Sequence, residues 1–246
     1  MTRYVGHPTQ DANMSTHINL KSDLAALTVP GGWFASIPQA LREALLINAE
    51  IRTIAAGQRL FARGDAPDGI YCVLTGVVRV TGIAENGQEA ILAMLESPQW
   101  FGEIALFDNE PRTHDAWAES DAKLLRVSQQ TLEKMLSELP DYWRHFGRLL
   151  TQKLRAVFVA MEDIFLLPPT TRLARRLLSM AKGYGAWTDR TSRVISISQE
   201  QLGLMLSLSR QTVNQSLKEL EEAGSILRNR GSIEIVDLRE LEAAGR

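Results

Sequence analysis

The stretch "ISQEQLGLMLSLSRQTVNQSLKELEEAG", residues 197–224, reads as two short helices joined by a tight turn. Ser198 stands where a helix N-cap is needed, and Gln201, at the third helical position, completes a capping box. Leu202 and Met205 then face inward. Ser209 can cap a second helix, along which Val213, Leu217 and Leu220 recur at helical spacing until Gly224 closes it. Such a pair is a helix-turn-helix, and its second helix enters the DNA major groove with its first turns against the base edges. Arg210, Gln211, Asn214 and Gln215 are the polar positions free to do so. Arginine can pair with guanine O6 and N7, and glutamine with adenine N6 and N7. Ser198, Gln199, Ser209 and Thr212 suit phosphate oxygens, which fix register without reading sequence. The alternative is a polar helix face that only meets solvent.

Around this motif the text completes a compact module. A helix, "TTRLARRLLSMAKGYG", ends at Gly183 or Gly185, and the variable "AWTDRTSR" leads to a short strand, "VISIS". After the helix pair, "ILRNRGSIEIV" reads as a hairpin turning near Arg230-Gly231. Before the module, a helical pattern starts at Asp141 and runs to about Leu167, where Pro168-Pro169 stops it. Along it Gly147, Leu150, Leu154, Val157, Met161 and Ile164 alternate steps of 3 and 4, the seam of a two-stranded coiled coil. A homodimer is expected through Leu150, Leu154, Val157, Met161 and Ile164. Packing on the chain's own β domain is the other use for the stripe. Phe158 and Phe165, in a second apolar row, predict that the helix does both.

From Ile51 to Val127 short β-rich runs alternate with Gly, Asn, Asp and Pro turns, as in a small antiparallel barrel or jelly roll. The helical segment "SIPQALREALLINA" precedes it. Asn86-Gly87 predicts a type I′ hairpin turn. The fold class expected is therefore α+β, in four parts: a flexible tail, 1–28; a β-roll sensor, 29–137; a dimerisation helix, 138–167; and a winged helix-turn-helix, 168–246.

In that order, these parts resemble the cyclic-AMP receptor protein / fumarate-nitrate regulator (CRP/FNR) superfamily of bacterial transcription factors. "FGEIALFDNEPRT" in the sensor and the helix pair in the reader carry the resemblance, which covers roughly residues 34–238. It implies a transcription regulator bound to double-stranded DNA as a homodimer on a palindrome, controlled allosterically, with RNA polymerase as a partner. It also implies a cyclic nucleotide effector. By resemblance Glu103 would accept from the ribose hydroxyl and Arg112 would pair with the cyclic phosphate. Gly102 and Thr113 would add backbone and hydroxyl contacts. A guanidinium fork matches a phosphate geometrically. Alternatively, Glu103 and Arg112 merely brace the turn.

The sequence departs from that pattern in three places. His114 and Asp115 add bulk and negative charge beside the expected phosphate site. The hydroxyls offered to adenine by cyclic-AMP binders fall at Val157 and Phe158, which have none, leaving another nucleotide or a base stacked on Phe158. The family's Arg-Glu and second Arg become Arg210-Gln211 and Gln215, which predicts a related palindrome with changed inner bases. Another small ligand, or none, stays open. So does a cyclic-nucleotide module that controls a partner enzyme without touching DNA.

Bulk properties agree with an intracellular regulator. The 246 residues carry 27 Lys and Arg against 29 Asp and Glu, so attraction to nucleic acid has to be local. From Pro168 onward there are 12 basic and 9 acidic residues, +3, against −5 before it. A single cysteine, Cys72, excludes an internal disulfide and gives no cluster for zinc or iron–sulfur. No run reaches the roughly 20 apolar residues that span a bilayer, and none near the start resembles a signal peptide, so a cytoplasmic protein without membrane contact is expected. No nucleophile–base constellation, metal spacing or phosphate loop points to an enzyme.

Overall fold

The computed structural model describes residues 27, 28, 30–185 and 193–246. Two short helices, α1 (Trp33–Ser36) and α2 (Gln39–Ile47), lead into eight strands: β1 (Ala49–Ile54), β2 (Arg59–Phe61), β3 (Gly69–Thr75), β4 (Val77–Ile83), β5 (Glu89–Glu96), β6 (Trp100–Phe101), β7 (Asp115–Ala118) and β8 (Ala122–Ser128). One helical turn or so, α3 (Ile104–Asp108), interrupts them between β6 and β7. The strands form two four-stranded antiparallel sheets, ordered β1-β8-β3-β6 and β2-β7-β4-β5. Tyr71, Val73, Val78, Phe101, Ala116 and Leu124 fill the space inside this roll. A second cluster, containing Trp33, Phe34, Leu41, Leu45 and Trp100, seats the flanking helices.

After β8 come α4 (Gln129–Glu138), the long α5 (Trp143–Leu166) and α6 (Pro169–Ala181). A short strand, β9 (Val194–Ile195), precedes the helix pair α7 (Gln199–Leu206) and α8 (Arg210–Glu222). The hairpin β10 (Ile226–Asn229) and β11 (Ser232–Ile235) and a last helix, α9 (Leu238–Ala244), complete the reader, with wing order β10-β11-β9.

Several expectations change. Asn86-Gly87 marks the β4–β5 turn, but only Gly87 takes positive φ, +81°. Gly87 donates its amide to Ala84 O and Ala84 donates to Gln88 O, giving a longer hairpin loop with one left-handed residue instead of a type I′ pair. Leu27, read as tail, is 2% exposed in the sensor core and Thr28 after it is exposed; residues 1–26 of the tail lie outside the described residues, as does most of "AWTDRTSR". Helix α5 starts at Trp143 because Pro140–Tyr142 forms a 3-10 turn before it. Of the double role expected of α5, the single chain shows the packing on the roll. Phe146 and Leu149 are buried against the roll, whereas Leu154, Val157, Phe158, Met161, Ile164 and Phe165 lie exposed.

Candidate ligand pocket and nucleic-acid interface

Strand β6 delivers the chain to Gly102 at φ +89°, a conformation that favours glycine. A Cβ there would lie 2.9 Å from Arg112 Nη1 and 3.1 Å from Gly69 O, so the missing side chain lets the guanidinium approach the backbone. Arg112 is 5% exposed. Its Nη1 donates to Gly102 O at 2.9 Å, and its Nη2 donates to Gly69 O and to Asp68 Oδ1, both at 2.6 Å. The Phe61 ring covers the guanidinium at 4.4 Å. Among the described residues its buried Nε meets no acceptor.

Glu103 is 2% exposed and takes a different partner: Lys153 of α5 donates to its Oε2 at 2.6 Å. The expected Glu103–Arg112 brace is thus replaced by two separate ion pairs, Arg112 with Asp68 and Glu103 with Lys153. Asp68 and Lys153 were not singled out from sequence; they lie 44 and 50 residues away from their partners. Thr113 is exposed and its hydroxyl meets His114 Nδ1 at 2.9 Å. His114 does not crowd the guanidinium: its ring lies beside Gly82, 3.6 Å from where a Cβ would stand. Asp115 accepts the Arg63 amide at 2.6 Å. Val157 and Phe158, one turn along α5 from Lys153, are exposed and apolar.

Asp68 is the electrostatic hub of this pocket. Burial alone raises its pKa, but hydrogen bonds from Tyr71 and Arg112 and the charges of Arg112 and Arg126 hold it below the usual carboxylate range. Tyr71, buried and donating to Asp68, is pushed up to about 12. A depressed carboxyl stabilises the fold above its unfolded pKa, and that contribution is lost as pH falls through the folded value. For Tyr71 the contribution is complete below the ordinary phenol value and is lost as pH rises through about 12. Melting temperature measured against pH should therefore drop at both extremes. Asp68→Asn should flatten the acid drop; an unchanged acid limb would remove Asp68 from this role.

In the reader, Ser198 Oγ accepts from Gln201 N at 3.1 Å while Gln201 Oε1 accepts from Ser198 N at 2.8 Å, so the capping box is formed. Ser209 Oγ accepts from Thr212 N at 3.1 Å and lies 2.8 Å from the Thr212 hydroxyl. The two helices meet closely because Gly203 has no Cβ, which would fall 2.9 Å from Leu208 O, and because Ser207 accepts φ +52°. Arg210, Gln211, Asn214 and Gln215 are all exposed on α8.

The reader packs directly on the sensor. Ile91 and Met94 of β5 belong to the same apolar cluster as Leu173, Leu177 and Leu202. A bulge at Leu92 breaks the β4–β5 register. Next to it, Leu92 O accepts from Arg176 at 3.0 Å, and Met94 N donates to the hydroxyl of Tyr184 at 3.1 Å. Tyr184 sits at φ +55°. Gln201 adds a bond to Glu119 at 2.7 Å. Ser198, Gln199 and Arg210 consequently line a cleft of about 1430 Å³, opposite Arg63, Gln88 and His114 of the sensor.

A jelly-roll domain, a long helix and a capped helix pair with a wing define a class of DNA-binding transcription regulator. Comparison with known proteins narrows the class. The family described as "Cyclic nucleotide-binding domain" matches residues 51–138, and the "Crp-like helix-turn-helix domain" matches residues 171–244. The chain is similar to the CRP-like cAMP-activated global transcriptional regulator of Mycobacterium tuberculosis, 27% identical over 191 residues, which are 77% of this chain and 85% of that one. It is also similar to the cAMP-activated global transcriptional regulator CRP of Pasteurella multocida, 29% identical over 182 residues, 73% of this chain and 87% of that one. Among solved structures, FixK2 from Bradyrhizobium japonicum shares the fold, with TM-score 0.71 at 20% identity, covering 80% of this chain and 98% of that one. The chain belongs to the CRP/FNR superfamily, and DNA is its partner. The curated relatives are transcription regulators, not enzymes. Among the described residues no helix is long and apolar enough to cross a membrane.

Proposed function

We propose that this chain is a cytoplasmic homodimer that reads a palindromic DNA site, is switched by a cyclic nucleotide held in its β-roll, and acts on RNA polymerase. The observation that carries the effector reading is the buried Nε of Arg112, which has no acceptor among the described residues. A guanidinium whose other nitrogens are fixed by Asp68, Gly69 and Gly102 is oriented in advance, and a phosphate oxygen is an acceptor that its remaining Nε–H suits. Gly102 and Thr113 flank it, and Glu103 faces α5, where a ribose hydroxyl would compete with Lys153. The cyclic-AMP-activated relatives support the same ligand class. Arg210, Gln211, Asn214 and Gln215 would meet base edges, while Ser198, Gln199, Ser209 and Thr212 would meet phosphates.

A second reading, the same architecture answering a non-nucleotide signal, is favoured by the Glu103–Lys153 pair and by the apolar Val157 and Phe158. Calorimetric titration with cyclic AMP, cyclic GMP and cyclic di-GMP separates the two. One of them should bind and should tighten binding to a selected palindrome by roughly 5–150-fold, the usual span of allosteric coupling. Absence of heat with all three leaves the second reading.

A further inference from the structure

Two of the exposed amides on the reading helix are held by charged neighbours, and the charge decides which end each amide offers. Arg228, on the wing strand β10, donates from Nη1 to Asn214 Oδ1 at 3.1 Å. Its other nitrogens are anchored on Glu221, with Nε 2.7 Å from Oε2 and the backbone amide 2.9 Å from Oε1. One turn further along α8, Glu219 Oε1 accepts from Gln215 Nε2 at 3.0 Å, while its Oε2 accepts from Thr170 Oγ1 at 2.6 Å. A guanidinium has donors only and an ionised carboxylate has acceptors only, so neither amide can be turned over without placing like against like. Glu219 is exposed and so ionised at neutral pH, and the bonds from Thr170 and then Gln215 hold it below its ordinary range.

We propose that Arg228 and Glu219 set the DNA sequence preference of this protein by fixing Asn214 as a donor and Gln215 as an acceptor. With its oxygen drawn toward the wing, Asn214 presents its NH2 group, which suits guanine O6 or N7, adenine N7, or thymine O4. With its nitrogen drawn toward Glu219, Gln215 presents its oxygen, which suits the amino group of adenine or cytosine. Each amide keeps a second hydrogen and a second lone pair, but the end turned outward is the one set by its charged neighbour, so the paired contact to adenine that an unrestrained amide makes is disfavoured. The two residues that determine this, one in the wing and one further along α8, act through the amides they hold; they are positioning residues. Glu219 also ties the arrangement to Thr170, in the first turn of α6.

This inference rests on the DNA-reading role of α8, and the test separates the two. A duplex library with a randomised half-site is selected with the full-length protein, with and without cyclic AMP, and the enriched bases are read for each variant. The unaltered protein should prefer adenine and cytosine over guanine and thymine at the position facing Gln215. Glu219→Ala, which frees Gln215, should shift that position toward adenine over cytosine by about tenfold, within the range of one bidentate base contact. Arg228→Met should bring a comparable gain for adenine at the position facing Asn214, and Arg228→Lys, still a pure donor, should change the preference little. Asn214→Asp, which keeps the bond to Arg228 but has no donor, should shift that position from guanine and thymine toward cytosine, and it serves if Arg228→Met unfolds the wing. Enrichment with preferences unchanged in Glu219→Ala and Arg228→Met overturns the proposal alone. Failure of the unaltered protein to enrich any sequence overturns sequence-specific reading and this proposal with it.

Discussion

Arg112→Ala should cost about 3–5 kcal/mol of stability, the range for removing one member of a buried ion pair, and should abolish cyclic-nucleotide binding. The cost arises from what is left behind. Asp68 keeps Tyr71, Arg126 and a distant Arg52, at 3.4 and 3.7 Å for the two arginines, but loses its closest cation. Gly69 O and Gly102 O lose the buried donor that meets them, and an unmet buried carbonyl is itself expensive. The Phe61 ring loses the group stacked on it. Arg112→Lys keeps a charge for Asp68 but cannot serve two carbonyls and a carboxylate from one planar fork, so it should recover part of the stability and little of the ligand binding. Thermal melts paired with calorimetric titration check both halves. A variant that melts like the parent would show Arg112 to be a passenger; one that is destabilised yet binds cyclic AMP normally would move the phosphate site elsewhere.

The contrast between Arg112 and the reading helices shows what a sequence makes visible. The capping box at Ser198 and Gln201, the cap at Ser209 and the stop at Gly224 are interactions between residues three or four apart, or properties of one residue type, and they were legible in full. So was the turn after β4, although its type was not: the pair Asn86-Gly87 permits a type I′ turn, but strand register selected a longer loop with only Gly87 left-handed. The pocket was half legible. Gly102, Glu103 and Arg112 were picked out by resemblance, but their partners come from the turn before β3, from β3 itself and from α5, and no local pattern links Asp68 to Arg112 or Lys153 to Glu103. "APDG", the stretch containing Asp68, looks like any turn. The sensor–reader contact was hidden for the same reason. A bulge at Leu92 and a left-handed Tyr184 are set by the packing of β5 against α6 and α7, not by propensity, and tyrosine is a poor candidate for positive φ.

The second large effect is expected at the dimer seam. Val157→Asp should weaken self-association by about 10²–10⁴-fold, which follows from losing roughly 1.5–3 kcal/mol of apolar burial on each of two copies. Val157 is 53% exposed in the single chain, and with Leu154, Met161 and Ile164 it forms an apolar row on the half of α5 that the roll does not cover. A row of that length on a lone helix is a liability unless another surface covers it, and the alternating spacing from Gly147 to Ile164 fits the same helix from a second copy. Across a two-fold axis a seam residue lies close to its own counterpart, so one substitution introduces two carboxylates that repel as well as two that must be desolvated. Gln152→Glu adds a charge on the same helix but off the seam, and should leave the dimer intact. Sedimentation equilibrium reads the association constant, and binding to a palindromic duplex should fall with it, because a monomer forfeits the second half-site and the gain from joining the two. If Val157→Asp sediments as the parent does, the exposed row pairs with something other than a second copy, and the palindromic reading loses its structural basis.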